Sequence, residues 1–124
     1  MEKEILALRN CAHIGDSVWE VFVRTYTIYK TSNSKILHKI TTERVNATFQ
    51  SEMLNFITPE LTVEEQELVR RGRNLPIPVA RKKIQAEYRQ ATSFEVLIGY
   101  WYLHDKERLE YIYNFIKTNS SFFL

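Results

Sequence analysis

Between Phe94 and Leu103 the chain reads Phe-Glu-Val-Leu-Ile-Gly-Tyr-Trp-Tyr-Leu, with a single charged residue in the run. A helix built on that stretch is apolar on nearly every side, so it belongs inside a bundle rather than on a surface. Spanning a bilayer takes about 20 apolar residues, and neither this run nor any other in the chain approaches that length. The covering therefore has to be protein. A helix through the core is the frame around which everything else must be arranged, and Glu95 is carried into that frame.

The rest of the chain has helical periodicity, interrupted by only three glycines and three prolines. It predicts an all-α protein of five or six helices without sheet, one domain over residues 1–124. The first segment runs from about Ile5 to Tyr29, with Leu6, Ile14, Val18, Val21, Phe22 and Tyr26 at helical spacing and Gly15 as a candidate junction between two shorter helices. After a turn at Thr31 to Asn33, Ser34 is read as the N-cap of a short helix through Ile40, and a longer helix follows from about Glu43 to Phe56, ended by Thr58 and Pro59. Thr62 and Glu65 form a capping box for a helix closed by Arg70, Arg71 and Gly72. Asn74 to Arg81, with Pro76 and Pro78, reads as a loop, helix resumes near Ile84, and Asp105 caps a last helix with Leu109, Ile112, Tyr113 and Ile116 on one face.

At 44% hydrophobic and 26% charged residues, the composition is that of a folded domain rather than a disordered chain. One cysteine, Cys11, excludes an internal disulfide and a cysteine zinc site and is read as a small core residue. Met1 to Lys3 lack the marks of a secretory signal, so the expected setting is a reducing interior away from membranes: the cytoplasm, or alternatively an organellar stroma or matrix. Net charge is +2, yet Arg70 to Arg89 alone carry +6 and the remainder −4. Such a basic surface suits an anionic partner, nucleic acid being the commonest, and equally suits a solvated charged loop.

Two carboxylates stand out. Glu95 begins the apolar run, and Asp16 lies in Ala-His-Ile-Gly-Asp-Ser-Val-Trp-Glu-Val-Phe-Val. An ionised acid buried without a partner is costly enough that it takes up a proton, pairs with a cation or binds metal. Each lies near a glycine, Gly15 or Gly99, which lets helices approach closely, and two such helices crossing would bring the acids together. An oxygen-only pair without cysteine clusters or His-x-x-x-His spacing points to Mg²⁺ or Mn²⁺ and, beside a basic surface, to phosphodiester chemistry. A second reading stands beside this one and is slightly favoured by spacing alone: Thr92 to Glu95 fits a capping box, Asp16 a helix cap after Gly15, and Glu20 with Arg24 an ordinary i, i+4 pair.

The same residues carry a family likeness. Leu6-Ala7-Leu8 and Ile14-Gly15-Asp16-Ser17-Val18-Trp19-Glu20 through Arg24 resemble the Gly-Asp motif of the ribonuclease III catalytic domain, and Thr92-Ser93-Phe94-Glu95-Val96-Leu97-Ile98-Gly99-Tyr100 resembles its second motif. Leu37-His38-Lys39, Arg70-Arg71-Gly72-Arg73-Asn74 and Tyr88-Arg89 are similar to the compact subgroup called Mini-ribonuclease III, in the same order over nearly the whole chain. The resemblance implies a single all-helical endonuclease domain of about six to seven helices without a separate RNA-binding domain. It further implies a homodimer that cuts double-stranded RNA with Mg²⁺ (Mn²⁺ substituting) to leave 5′-phosphomonoesters, in maturation of precursor ribosomal RNA of the large subunit. Asp16 and Glu95 match the essential acids and metal ligands, with Glu20 and Thr92 as supports behind them. Lys39, Arg71, Arg73, Asn74, Lys82 and Lys83 are the residues expected to meet RNA. The chain departs from full-length ribonuclease III at Ala12 and Thr92, where further acids are usual and where the compact subgroup resembles this chain. It also differs at His13, read as a core or interface histidine, and in the loop Leu75 to Lys83. The alternatives are a catalytically silent ribonuclease-III-like RNA-binding or ribosome-assembly protein, and a helical interaction module whose acids are only caps.

Overall fold

The computed structural model describes residues 2–77 and 85–124, with side chains from residue 7 onward. Six α-helices make up the described chain: α1 (Glu2–Thr27), α2 (Ser34–Val45), α3 (Ala47–Ile57), α4 (Val63–Arg73), α5 (Gln85–His104) and α6 (Lys106–Asn119), with a 3₁₀ turn at Thr58–Glu60. No strand occurs among the described residues. The all-helical expectation holds, and α5 is the central helix that the run after Phe94 demands. Phe94, Val96, Leu97 and Ile98 are wholly shielded, and α1, α3, α4 and α6 pack around this helix.

The closest packing is where α1 crosses α5. A methyl group placed on Gly15 would lie 1.9 Å from the carbonyl oxygen of Glu95, and one placed on Gly99 would lie 1.8 Å from that of Cys11. Backbone meets backbone, which only glycine permits. This corrects the reading of Gly15 as a junction, because α1 is continuous through it. Glycine costs a helix about 1 kcal/mol relative to alanine, and here the close contact with α5 offsets that cost. Trp19, one turn beyond, anchors the crossing in the core with its ring edge-on to Phe94 at 4.9 Å and its indole N–H donated to the Arg44 carbonyl.

Two other boundaries differ from expectation. Asn33, not Ser34, caps α2, accepting from the amides of Lys35 and Ile36. The helix expected from Glu43 to Phe56 is divided at Asn46, which ends α2 and caps α3 by accepting from Phe49 N–H. An asparagine side chain competes for backbone donors, so a helix can stop and restart there with its amides satisfied. The Thr62–Glu65 capping box and the Asp105 cap form as read. The loop expected over 74–81 and the helix start near Ile84 fall largely outside the described residues. Cys11 is buried as expected, and its thiol is pushed up by desolvation. No helix among the described residues is long and apolar enough to cross a membrane.

Candidate active site

Asp16 and Glu95 lie in the interiors of α1 and α5. Neither helix begins at its acid, so the capping reading fails for both: the amides around them are already bonded along the helix. The glycine crossing sets the Asp16 and Glu95 side chains against each other, with Gln50 of α3 beside Glu95. Glu95 as a whole is half-buried, but its carboxyl end is the desolvated part. Burial, followed by the hydrogen bond and charge of Asp16, pushes Glu95 up to about 9, against the opposing donation from Gln50. Near neutral pH and without a cation, Glu95 therefore keeps its proton and the pair carries one negative charge fewer than two carboxylates should.

A divalent cation fits this arrangement. Its donors would be the oxygens of Asp16 and Glu95, hard ligands suited to magnesium and manganese. Among the described residues no group of three or more His, Cys, Asp or Glu side chains converges on one point.

The supporting residues are placed as follows. Glu20, one turn after Asp16, is ion-paired with Arg24 at 2.8 Å. Thr92, one turn before Glu95, is half-buried and donates its hydroxyl to the Tyr88 carbonyl at 2.9 Å. Ala12, one turn before Asp16, is packed with Leu8, Cys11, Leu75 and Val96 in a small apolar cluster. The position occupied by an acid in larger relatives is thus filled with hydrocarbon. His13 is exposed, which removes the core option for it.

The basic residues occupy the end of α4 and its surroundings. Arg70, Arg71 and Arg73 line a groove of about 870 Å³ shared with Tyr100 of α5. Arg70 is bound by Glu67 in an i, i+3 pair, whereas Arg73 at the end of α4 is exposed. Asn74 is exposed and ends α4, its backbone N–H reaching the carbonyls of Arg70 and Arg71 at 3.2 Å each. Arg89 donates to the carbonyls of Arg73 and Leu75, at 2.6 and 3.3 Å, and so closes the helix terminus rather than facing solvent. Lys39 is exposed on α2, and Lys82 and Lys83 lie outside the described residues.

Gln50 escaped the sequence reading. Its signal was there: a polar residue within the apolar face formed by Phe49, Met53, Leu54 and Ile57.

Comparison with known proteins agrees with this geometry. The family model described as "Ribonuclease III domain" matches residues 10–106, a span that contains both acids. A Mini-ribonuclease 3 of Gloeobacter violaceus is 42% identical over 104 residues, covering 84% of this chain and 77% of the relative. The Mini-ribonuclease 3 of Clostridium tetani is 43% identical over 105 residues, 82% of this chain and 70% of that protein. A crystal structure of a Fusobacterium nucleatum protein superimposes with a TM-score of 0.76 at 33% identity, covering 86% of this chain and 88% of the other.

Proposed function

Because the chain belongs to the ribonuclease III family, in its Mini-ribonuclease 3 branch, and is an endoribonuclease, we propose that Asp16 and Glu95 are its catalytic metal ligands in the cleavage of double-stranded RNA. The observation that carries this reading is the contact of two carboxyls in the interiors of two crossing helices, with no cationic side chain as Glu95's named partner. When bound, Mg²⁺, or Mn²⁺ in its place, would supply activation of a water and neutralisation of charge at the phosphate. Glu95 would give up its proton to hold the cation beside Asp16, and their rigid helices fix the point of attack. Arg71, Arg73, Asn74, Lys39, Lys82 and Lys83 would meet backbone phosphates and 2′-hydroxyl groups, recognition by A-form shape rather than by base sequence. Cleavage leaving a 5′-phosphomonoester, a role in precursor ribosomal RNA maturation and a cytoplasmic setting belong to the same reading.

The protein is proposed to act as a homodimer. An apolar groove of about 800 Å³ runs beside α1 and α6, lined by Val18, Val21, Phe22, Tyr26, Tyr29 and Tyr113 among others. Val21 is 63% and Tyr29 83% exposed, and the buried Tyr113 hydroxyl has no hydrogen-bond partner among the described residues. Contiguous apolar surface of this kind favours a covering partner.

The deciding experiment is cleavage of long duplex RNA with and without Mg²⁺ by the parental, Asp16→Asn and Glu95→Gln proteins. Each substitution is expected to lower the rate at least ~1000-fold, about 4 kcal/mol of transition-state stabilisation, while folding and dimerisation persist. Cleavage by both variants at the parental rate would sink the assignment.

A further inference from the structure

Gln50 occupies a place in α3 meant for hydrocarbon. It is 3% exposed, next to Phe49 and one turn before Met53 and Leu54, all of them core residues. Removing an amide from water without a partner is costly, so a glutamine here calls for something that answers it. What answers it is a carboxyl group on another helix: α3 packs against α5, and the Gln50 amide sits where it favours the charged form of Glu95.

The two acids differ in how firmly their own chains hold them. Asp16 reaches out through one methylene from a backbone pinned at the glycine crossing, whereas Glu95 has an extra methylene and a further torsion to fix. Packing against α1 settles where the Glu95 backbone lies and leaves its carboxyl free to turn. A donor from a third helix removes that freedom.

We propose that Gln50 is the positioning residue of this site, its buried amide orienting the Glu95 carboxylate toward Asp16 as a ligand for the divalent cation. This rests on the reading of Asp16 and Glu95 as metal ligands. Hydrogen-bond partners of ligating groups typically matter by about 10- to 100-fold in metal affinity or activity.

The test compares full-length parental protein with Gln50→Met, Gln50→Glu and Asp16→Asn, measuring Mn²⁺ affinity by titration calorimetry, duplex-RNA cleavage as kcat and KM, and melting temperature with and without Mn²⁺. Gln50→Met keeps length and helix propensity and removes the donor. Its Mn²⁺ Kd should rise and its kcat fall, each by about 10- to 100-fold, with KM unchanged because no phosphate contact is touched. A folded Gln50→Met protein with parental Kd and kcat overturns the proposal. Should that variant fail to fold, Gln50→Glu decides: a third acid beside the pair lowers metal-free stability, so Mn²⁺ raises its melting temperature by more than it raises the parental one. An equal or smaller Mn²⁺ shift overturns the proposal. Asp16→Asn separates the two levels. If it keeps both cleavage and Mn²⁺ binding, the metal-site reading itself fails, whereas loss of both there with no change in Gln50→Met removes only the role of Gln50.

Discussion

Glu65 and Glu95 are both drawn into the interior by the helices that carry them, and they end in opposite states. Glu65 is 7% exposed. Its carboxylate accepts from the Thr62 amide, the Trp101 indole and the Arg108 guanidinium, all within 2.8–2.9 Å. Burial alone would raise it, but these donors, Arg108 foremost, hold it below the ordinary carboxylate range. Glu95 is met by another acid and a neutral amide, and it is driven the other way. One buried glutamate is a finished staple that ties α4, α5 and α6 together. The other is held in its protonated form with no cation beside it, and that difference in partners, rather than burial itself, sets the two apart.

The widest separation between them should appear on substitution. Glu95→Gln is expected to lose at least ~1000-fold in RNA cleavage and to keep or gain metal-free thermal stability, since it removes a desolvated acid from beside Asp16. Glu65→Ala should do the reverse, leaving the Arg108 guanidinium and Trp101 N–H without their acceptor. Breaking a buried pair in this way costs about 3–5 kcal/mol, read as a lower urea midpoint, with kcat of the remaining folded protein near parental. If Glu65→Ala proved the more damaging to kcat, or Glu95→Gln to stability, the distinction would collapse.

The pH dependence of stability should show both groups, with opposite signs. Glu95 binds its proton more tightly folded than unfolded, so its contribution is complete below the ordinary value of 4.5 and is lost as pH rises toward about 9. Glu65 is lowered, so its contribution is present above the ordinary carboxylate range and is lost as pH falls through its folded value. Melting temperatures in EDTA should therefore decline between about pH 4.5 and about 9, with Glu95→Gln flattening that decline and Mg²⁺ reversing it. Glu65→Ala should flatten only the acid side. A decline between about pH 4.5 and about 9 that is the same in parental and Glu95→Gln proteins would contradict the placement of the proton.

The smallest expected effect concerns a single donor. Trp101→Phe keeps most of the ring volume in the core but deletes the N–H that serves Glu65. A hydrogen bond to a charged acceptor contributes about 1.5–3 kcal/mol, and Arg108 retains most of the demand, so a loss near the lower figure is expected in chemical denaturation.

The same pair shows what a sequence discloses and what it withholds. Thr62 and Glu65 are legible as a capping box because the contact is local, three residues apart. The burial of Glu65 under Trp101 and Arg108, 36 and 43 residues away, is not. Glu95 was ambiguous for a related reason: Thr92 to Glu95 has the spacing of a cap, and only the helical conformation of residues 85–91 makes that stretch an interior. Asn46 was missed because the apolar spacing of Val45, Phe49 and Met53 runs past it unbroken, and Gln50 because one polar residue in an apolar face is usually tolerated rather than used. The central helix and the last cap were legible because each follows from local patterning, whereas the meeting of Asp16 with Glu95 stood beside the capping reading until the glycine crossing placed both acids inside their helices.

The crossing at Gly15 and Gly99 also limits how such a centre can be altered. With less than 2 Å between each imagined methyl group and the opposite carbonyl oxygen, the spacing of the acids is not a quantity that substitutions can adjust by degrees. Alanine at either position forces the helices apart, and no residue smaller than glycine is available to draw them nearer. The distance is a floor set by main-chain atoms, so variation among descendants of this chain has to fall on what surrounds the acids, leaving the gap between them constant.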